Sequence, residues 1–254
     1  MRPVLLLLLF LAGCAKEAPP AAPPESACNR ERFEGSTFIL CDPGKGSIEI
    51  RSGHRSFASL QAALGKRTAE VAFAMNAGMF DDAGRPVGLM VESGRQVHAI
   101  NKRTRGFGNF HLMPNGVFLV RRDGRAEVVT SDSYEPSREA AFATQSGPML
   151  LIDGKVHPSF GRDGQSRYIR NGVGIGPDGR PLFVISAGPV SFGKLARFLR
   201  DRHEVRNALF FDGAVSSLWD PANNRMDSFT ELGPMVVAFK PVGSAPRREA
   251  RARP

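Results

Sequence analysis

Three short polar motifs end three apolar runs, and together they hold an acid, two arginines, amides and hydroxyls. The first is Asn76-Ala77-Gly78-Met79-Phe80, after Val71–Met75. The second runs from Arg167 to Gly174 and contains Arg170-Asn171-Gly172. The third is Asp212-Gly213-Ala214-Val215-Ser216-Ser217, after Ala208–Phe211. These residue types handle charged, hydroxyl-rich ligands. A carboxylate takes up a proton or meets developing positive charge. A guanidinium grips anionic oxygens with parallel donors. Amides and hydroxyls donate and accept. A strand stopping at a glycine-rich turn presents such groups rigidly, and loops held this way carry function. Each motif alone also has a plain structural reading. Asp212-Gly213 reads as a hairpin turn, Asn76 and Asn171 as turn residues, Arg167 and Arg170 as solvated charges, Ser216 and Ser217 as satisfied core hydroxyls.

The segments that must hold these motifs read as strands. Ser47–Ile50, Val71–Met75, Val87–Glu92, Val117–Arg121, Ala126–Val129, Pro148–Ile152, Val173–Ile175, Leu182–Ser186, Ala208–Phe211 and Met235–Phe239 are apolar or alternating runs of strand length. Ser93-Gly94, Asn115-Gly116, Asp123-Gly124, Asp153-Gly154 and Asp178-Gly179 are hairpin signals between them. Two helices stand out. Ser56 is an N-cap before Phe57, Leu60 and Leu64, with Gly65 as the stop. Ser191 caps the other, with Phe192, Leu195, Ala196 and Leu199 as an apolar stripe and Lys194, Arg197 and Arg200 facing water. This second helix separates Leu182–Ser186 from Ala208–Phe211, which predicts a crossover unit. Asp212 then falls at the carboxyl end of the second strand, where such units place ligands.

The ends of the chain read differently. Residues 1–13 have a positive Arg2 and an apolar run from Val4 to Leu11, too short for the roughly 20 residues of a bilayer-spanning helix. Leu11-Ala12-Gly13-Cys14 resembles the lipobox of bacterial lipoproteins, which implies cleavage before Cys14 and its lipidation. An ordinary secretory signal with a chance cysteine is the other reading. Ala15 after the cysteine suggests the periplasmic face of the outer membrane. Residues 14–27 are proline- and alanine-rich, an extended tether. Residues 28–240 form one domain, and residues 241–254 a disordered basic tail. The formal net charge is +9, partly from Arg247, Arg248, Arg251 and Arg253 in that tail. Without basic stretches interleaved with aromatics, nucleic acid is excluded as a partner. A positive domain favours anionic substrates or lipid headgroups. Cys28 and Cys41 either bridge, as an exported compartment permits, or stand as separate thiols. The five histidines show no metal-binding spacing. Asp81 and Asp82 read as an Asp-rich turn or a hard-cation ligand pair. Trp219 reads as a sugar platform or as core. The sequence fixes no oligomeric state.

Six motifs in order resemble the phosphodiester glycosidase family. They are Asn76-Ala77-Gly78-Met79-Phe80, Gly108-Asn109-Phe110, Pro114-Asn115-Gly116-Val117-Phe118, Ala143-Thr144-Gln145-Ser146-Gly147-Pro148, Arg170-Asn171-Gly172-Val173-Gly174 and Asp212 to Ser217. The resemblance spans Ser47 to Phe239 and implies a mixed α/β (α+β) fold, strand-rich with few helices. It implies hydrolysis of a sugar–phosphate bond; with the lipobox, the leading function is a lipid-anchored hydrolase of a carbohydrate phosphodiester of the cell envelope, with no cofactor. Asp212 is then the carboxylate that stabilises the sugar cation or activates water. Arg170 and Arg167 bind phosphate. Asn76, Asn171 and Gln145 orient hydroxyls or phosphate, Ser216 and Ser217 bind phosphate in an anion-binding turn, and Gly78 and Gly213 let the backbone approach. Many members carry glycines where this chain has Ala77, Ala214 and Val215. A binding protein that keeps the pocket without turnover, and a metal-dependent phosphodiesterase, are the alternative functions.

Overall fold

The computed structural model describes residues 26–106, 108–136 and 139–241. The leader, Cys14, most of the tether, and the tail beyond Pro241 lie outside them. Ser26 and Ala27, read as tether, are seated on the domain: Ser26 Oγ donates to the Asp220 carboxylate at 3.1 Å, and Ala27 O accepts from Asp42 N at 2.9 Å.

Among the described residues, seventeen strands form three sheets. The first runs β1 (Cys28–Phe33), β2 (Ser36–Cys41), β13 (Pro181–Ser186), β12 (Asn171–Ile175), β14 (Ala208–Phe210), β10 (Met149–Ile152), β11 (Lys155–Val156). The second runs β16 (Arg225–Met226), β15 (Leu218–Asp220), β4 (Val71–Asn76), β17 (Met235–Phe239), β3 (Ile48–Arg51). The third runs β6 (Arg95–His98), β5 (Met90–Glu92), β9 (Ala140–Ser146), β7 (Gly116–Arg121), β8 (Ala126–Thr130). Neighbouring strands are antiparallel throughout. With two α-helices, α1 (Phe57–Leu64) and α2 (Phe192–Arg197), this is the expected strand-rich α+β class.

The crossover is present in a wider form. β13 and β14 both pair antiparallel with β12, so they run parallel to each other with β12 between them and α2 in the connection. Alternation along β14 explains the placement. Leu209 and Phe211 enter a core shared by all three sheets, while Ala208 and Phe210 pack under α2. The shared core is knit by aromatic rings. Phe183 meets Phe73 at 5.4 Å, Phe118 at 5.5 Å and Phe211 at 6.5 Å between centroids. Full burial of each such ring is worth roughly 1.5–3 kcal/mol. β4 is buried along its whole length because it is sandwiched. Phe73 and Met75 face the shared core and Ala74 faces the cluster of Phe57, Leu60 and Trp219. Trp219 is therefore core, 3% exposed.

Both caps form as expected. Ser56 and Ser59 make a reciprocal capping box and Gly65 ends α1 at φ +54°. Ser191 Oγ accepts from Lys194 N at the start of α2. Arg197 does not face water. It is 6% exposed and held by the Glu34 carboxylate, with Nη2 at 2.5 Å, because Glu34 at the β1–β2 turn projects across α2. That pairing holds Glu34 below the usual carboxylate range. Four of the five Gly dipeptides turn hairpins. Asn115-Gly116 does not: Asn115 is fully buried, its amide donates to Phe110 O at 3.1 Å, and Gly116 opens β7. A buried acceptor claimed the asparagine that a turn would have left in solvent. Cys28 and Cys41 form a disulfide between register partners of β1 and β2, so the bridge staples a hairpin rather than closing an open loop.

A candidate active site at the seam of two sheets

Asn76 is the last residue of β4 and Asn171 the first of β12, so each side chain is aimed by a paired strand. Asp212 lies two residues beyond β14, and Ser216-Ser217 lead directly into β15. Since β12 and β14 belong to the first sheet and β4 and β15 to the second, these residues meet where the two sheets join.

One hydrogen-bond network ties them together. Asn76 Oδ1 accepts from Ser217 N at 2.8 Å and from Asn171 Nδ2 at 2.9 Å. Asn171 Nδ2 also donates to Asn76 O at 2.9 Å, and Asn171 Oδ1 accepts from Ser216 Oγ at 3.1 Å. Asn76 Nδ2 donates to Asp212 O at 2.7 Å, and Asp212 N donates to Ala77 O at 2.9 Å. Ser216 Oγ also reaches Ile169 O at 3.1 Å, and Ser217 Oγ donates to Val215 O at 2.8 Å. The structure thus brings together Asn76, Asn171, Asp212, Ser216 and Ser217 from three distant stretches of chain.

Their capacities differ. Asn76 and Asn171 are 1% and 0% exposed and spend their amides on each other and on backbone. Buried amides without partners cost free energy, so they pair internally and become the frame rather than the hands of the site. Ser216 and Ser217 are buried and engaged in the same way. Asp212 is different. Among the described residues its carboxylate accepts only from Ala214 N, at 3.2 Å, and it is partly exposed. Burial of the carboxyl pushes its pKa above the usual range. Asp212 therefore holds the free, perturbed acid of the network.

Arg170 immediately precedes Asn171 but shares no hydrogen bond or ion pair with Asp212 among the described residues. It is 1% exposed, with Nε donating to Val190 O at 2.9 Å and Nη2 to Ser166 O at 3.1 Å and Ser166 Oγ at 3.0 Å. Its guanidinium lies 3.5 Å from the Phe192 ring centroid and 5.4 Å from that of Phe210. None of these bonds uses Nη1, and Arg170 has no ion pair among the described residues. Desolvation lowers its pKa to about 10, which still leaves it cationic at neutral pH. Gly213, next to Asp212, is confined by the Phe210 ring, 2.2 Å from where its Cβ would be. Gly78 is equally confined, with Thr144 Oγ1 at 2.2 Å and Gln145 O at 2.8 Å from where a Cβ would be. Both glycines are thus required by close approach. Ala214 and Val215 lie in a short 3-10 turn without positive φ, so the missing glycines cost no backbone strain.

Besides Arg170, two expected residues stay outside the network. Arg167 is exposed and makes no ion pair among the described residues. Gln145 is 1% exposed in β9 and its amide is consumed by Leu89 N, Asn101 N, Asn101 O and Ser131 Oγ. Tyr168 and Ile169, not singled out from sequence, are 62% and 40% exposed immediately before Arg170. An aromatic next to the arginine of the motif was the available signal. Asp81 is committed to Arg85 at 2.7 Å, and no cluster suited to a metal ion occurs among the described residues.

The fold and this site define a class. A family model for phosphodiester glycosidases matches residues 69–238, and the chain belongs to that family. It is 37% identical over 150 residues to YigE of Escherichia coli K12, an uncharacterized protein. That match covers 59% of this chain and 58% of YigE, so it spans little more than half of that relative. The catalytic domain of zebrafish N-acetylglucosamine-1-phosphodiester alpha-N-acetylglucosaminidase, auto-inhibited by its pro-peptide, superposes with a TM-score of 0.54 at 15% identity. The superposition covers 84% of this chain and 81% of that one. A Burkholderia pseudomallei K96243 protein superposes with a TM-score of 0.55 at 12% identity, over 80% and 73% of the two chains. At such identities the superpositions establish a common fold.

Proposed function

We propose that the chain hydrolyses a glycosyl phosphodiester, with Asp212 as the acting carboxylate. The observation that carries this reading is the free Asp212 carboxyl, its acidity reduced by burial, on a frame of Asn76, Asn171, Ser216 and Ser217. In the reaction water adds to the anomeric carbon, and the bond from that carbon to the phosphate oxygen breaks. The electron pair leaves with the phosphate, already a fair leaving group. Asp212 stabilises the sugar cation and takes the proton from water. Arg170, a fixed cation against the Phe192 and Phe210 rings, receives the phosphate charge. The exposed Tyr168 ring beside it offers the sugar a face. Hydrolysis in water enriched in oxygen-18 tests the reading. Label in the released sugar supports cleavage at the anomeric carbon, whereas label in the phosphate means attack at phosphorus.

The envelope setting belongs to the same proposal. The lipobox at Leu11–Cys14 supports an exported, lipid-anchored enzyme acting on envelope carbohydrate. Cys14→Ala is expected to move the protein from membrane to soluble fractions without unfolding it. Unchanged detergent partitioning of that variant sinks the anchoring claim.

A further inference from the structure

We propose that a groove beside the site receives an anionic extension of the substrate. The proposal rests on the function argued above and adds the substrate class. The groove encloses about 680 Å³ and is lined in part by Arg85, Val87, His98, Asn101, Lys102 and Arg103. Its position follows from the chain. Ala77, whose carbonyl accepts from Asp212 N, begins the loop that ends in the groove wall at Arg85–Val87. The loop is closed on itself by Val87 N donating to Met79 O at 3.1 Å. One short segment therefore borders Asp212 at one end and the groove at the other.

The opposite wall is built rather than loose, and Gln145 builds it. Its Oε1 accepts from Leu89 N at 3.0 Å and Asn101 N at 2.8 Å, and its Nε2 donates to Asn101 O at 2.7 Å. Asn101 in turn donates from Nδ2 to Val87 O at 2.9 Å, joining two lining segments, and accepts from Arg103 N at 3.1 Å. A buried amide thus locks the backbone that presents Lys102 and Arg103. This gives Gln145 a positioning role. Asp81 neutralises Arg85. Lys102 and Arg103 are exposed and make no ion pair among the described residues, so the groove carries uncompensated positive charge. Cations on a pre-ordered backbone bind with little ordering cost, and a groove of one sign concentrates ligands of the other. The ligand chemistry that fits is a chain of phosphate groups.

Calorimetric titration with inorganic tripolyphosphate at low salt tests this without turnover. The wild type is expected to bind it saturably. Lys102→Glu with Arg103→Glu should weaken binding on the order of tenfold or more. Lys45→Glu with Lys66→Glu, exposed positions outside the groove lining, makes the same change in net charge and should stay within about twofold of wild type. Asp212→Asn should also bind tripolyphosphate like wild type, so loss of catalysis and loss of the groove are read separately. No binding by wild type, full binding by the groove pair, or equal loss in the control pair each overturns the proposal. A loss confined to Arg170→Gln does so too, because it places the anion at the scissile phosphate alone.

Discussion

Asp212→Asn is expected to lower kcat on a chromogenic sugar phosphodiester by on the order of 10²-fold or more, with the fold intact. The substitution keeps the shape and can still accept from Ala214 N, so the network through Asp212 N and O survives. What it removes is the charge that meets the sugar cation. Arg170→Lys acts elsewhere: it keeps a positive charge but loses the planar fork, and should chiefly raise KM. A second signature separates a functional carboxyl from a structural one. Burial raises the Asp212 pKa above its unfolded value, so the folded state holds the proton more tightly. The stability this contributes is complete below the ordinary value of about 3.9 and is lost as pH rises through the elevated native value. Asp212→Asn should therefore melt above wild type at pH 7, and the gap should close toward pH 3. Wild-type turnover in a folded Asp212→Asn variant would falsify the catalytic assignment.

Asn171→Leu is expected to lose about 2–4 kcal/mol of folding stability, a large share of the 5–15 kcal/mol typical of a domain. The side chains have similar size, so the penalty is polar. Asn76 O and Oδ1 lose a shared donor and Ser216 Oγ loses an acceptor, all in a buried seam. Each lost buried hydrogen bond is worth about 0.5–1.5 kcal/mol, Asn76 Oδ1 keeping Ser217 N and Ser216 Oγ keeping Ile169 O. The midpoint of urea unfolding should fall at unchanged slope. Ser216→Ala, which leaves Asn171 Oδ1 unpaired but the Asn76 contacts intact, should cost a fraction of this. Unfolding of Asn171→Leu at the wild-type midpoint would show that the two asparagines are not the frame of the site.

The two expectations rest on different layers of information. The apolar runs and Gly-containing turns determined most strands, because burial of a strand face and the φ requirements of tight turns are written locally. Capping chemistry did the same for α1 and α2, since Ser56 and Ser191 satisfy N–H groups within three residues. The motifs likewise marked the strand ends at Asn76 and Asp212. Other elements were invisible for a physical reason. β1, β6 and β16 carry charge or are very short, and pairing with a neighbour, not their own pattern, makes them strands. Arg197 reads as solvated because nothing local shows Glu34 crossing α2. Asn115 reads as a turn because its buried acceptor on Phe110 is not part of the dipeptide. The division of labour in the site is of the same kind. Sequence supplied Asn76, Arg170, Asn171, Asp212, Ser216 and Ser217 as one set of polar groups. Only the meeting of two sheets decided that the amides and hydroxyls saturate one another while the Asp212 carboxyl is left free. It also made Gln145 a support for a neighbouring groove. Hydrogen-bond capacity is a local property, but which partner consumes it is settled by what the fold brings within 3 Å.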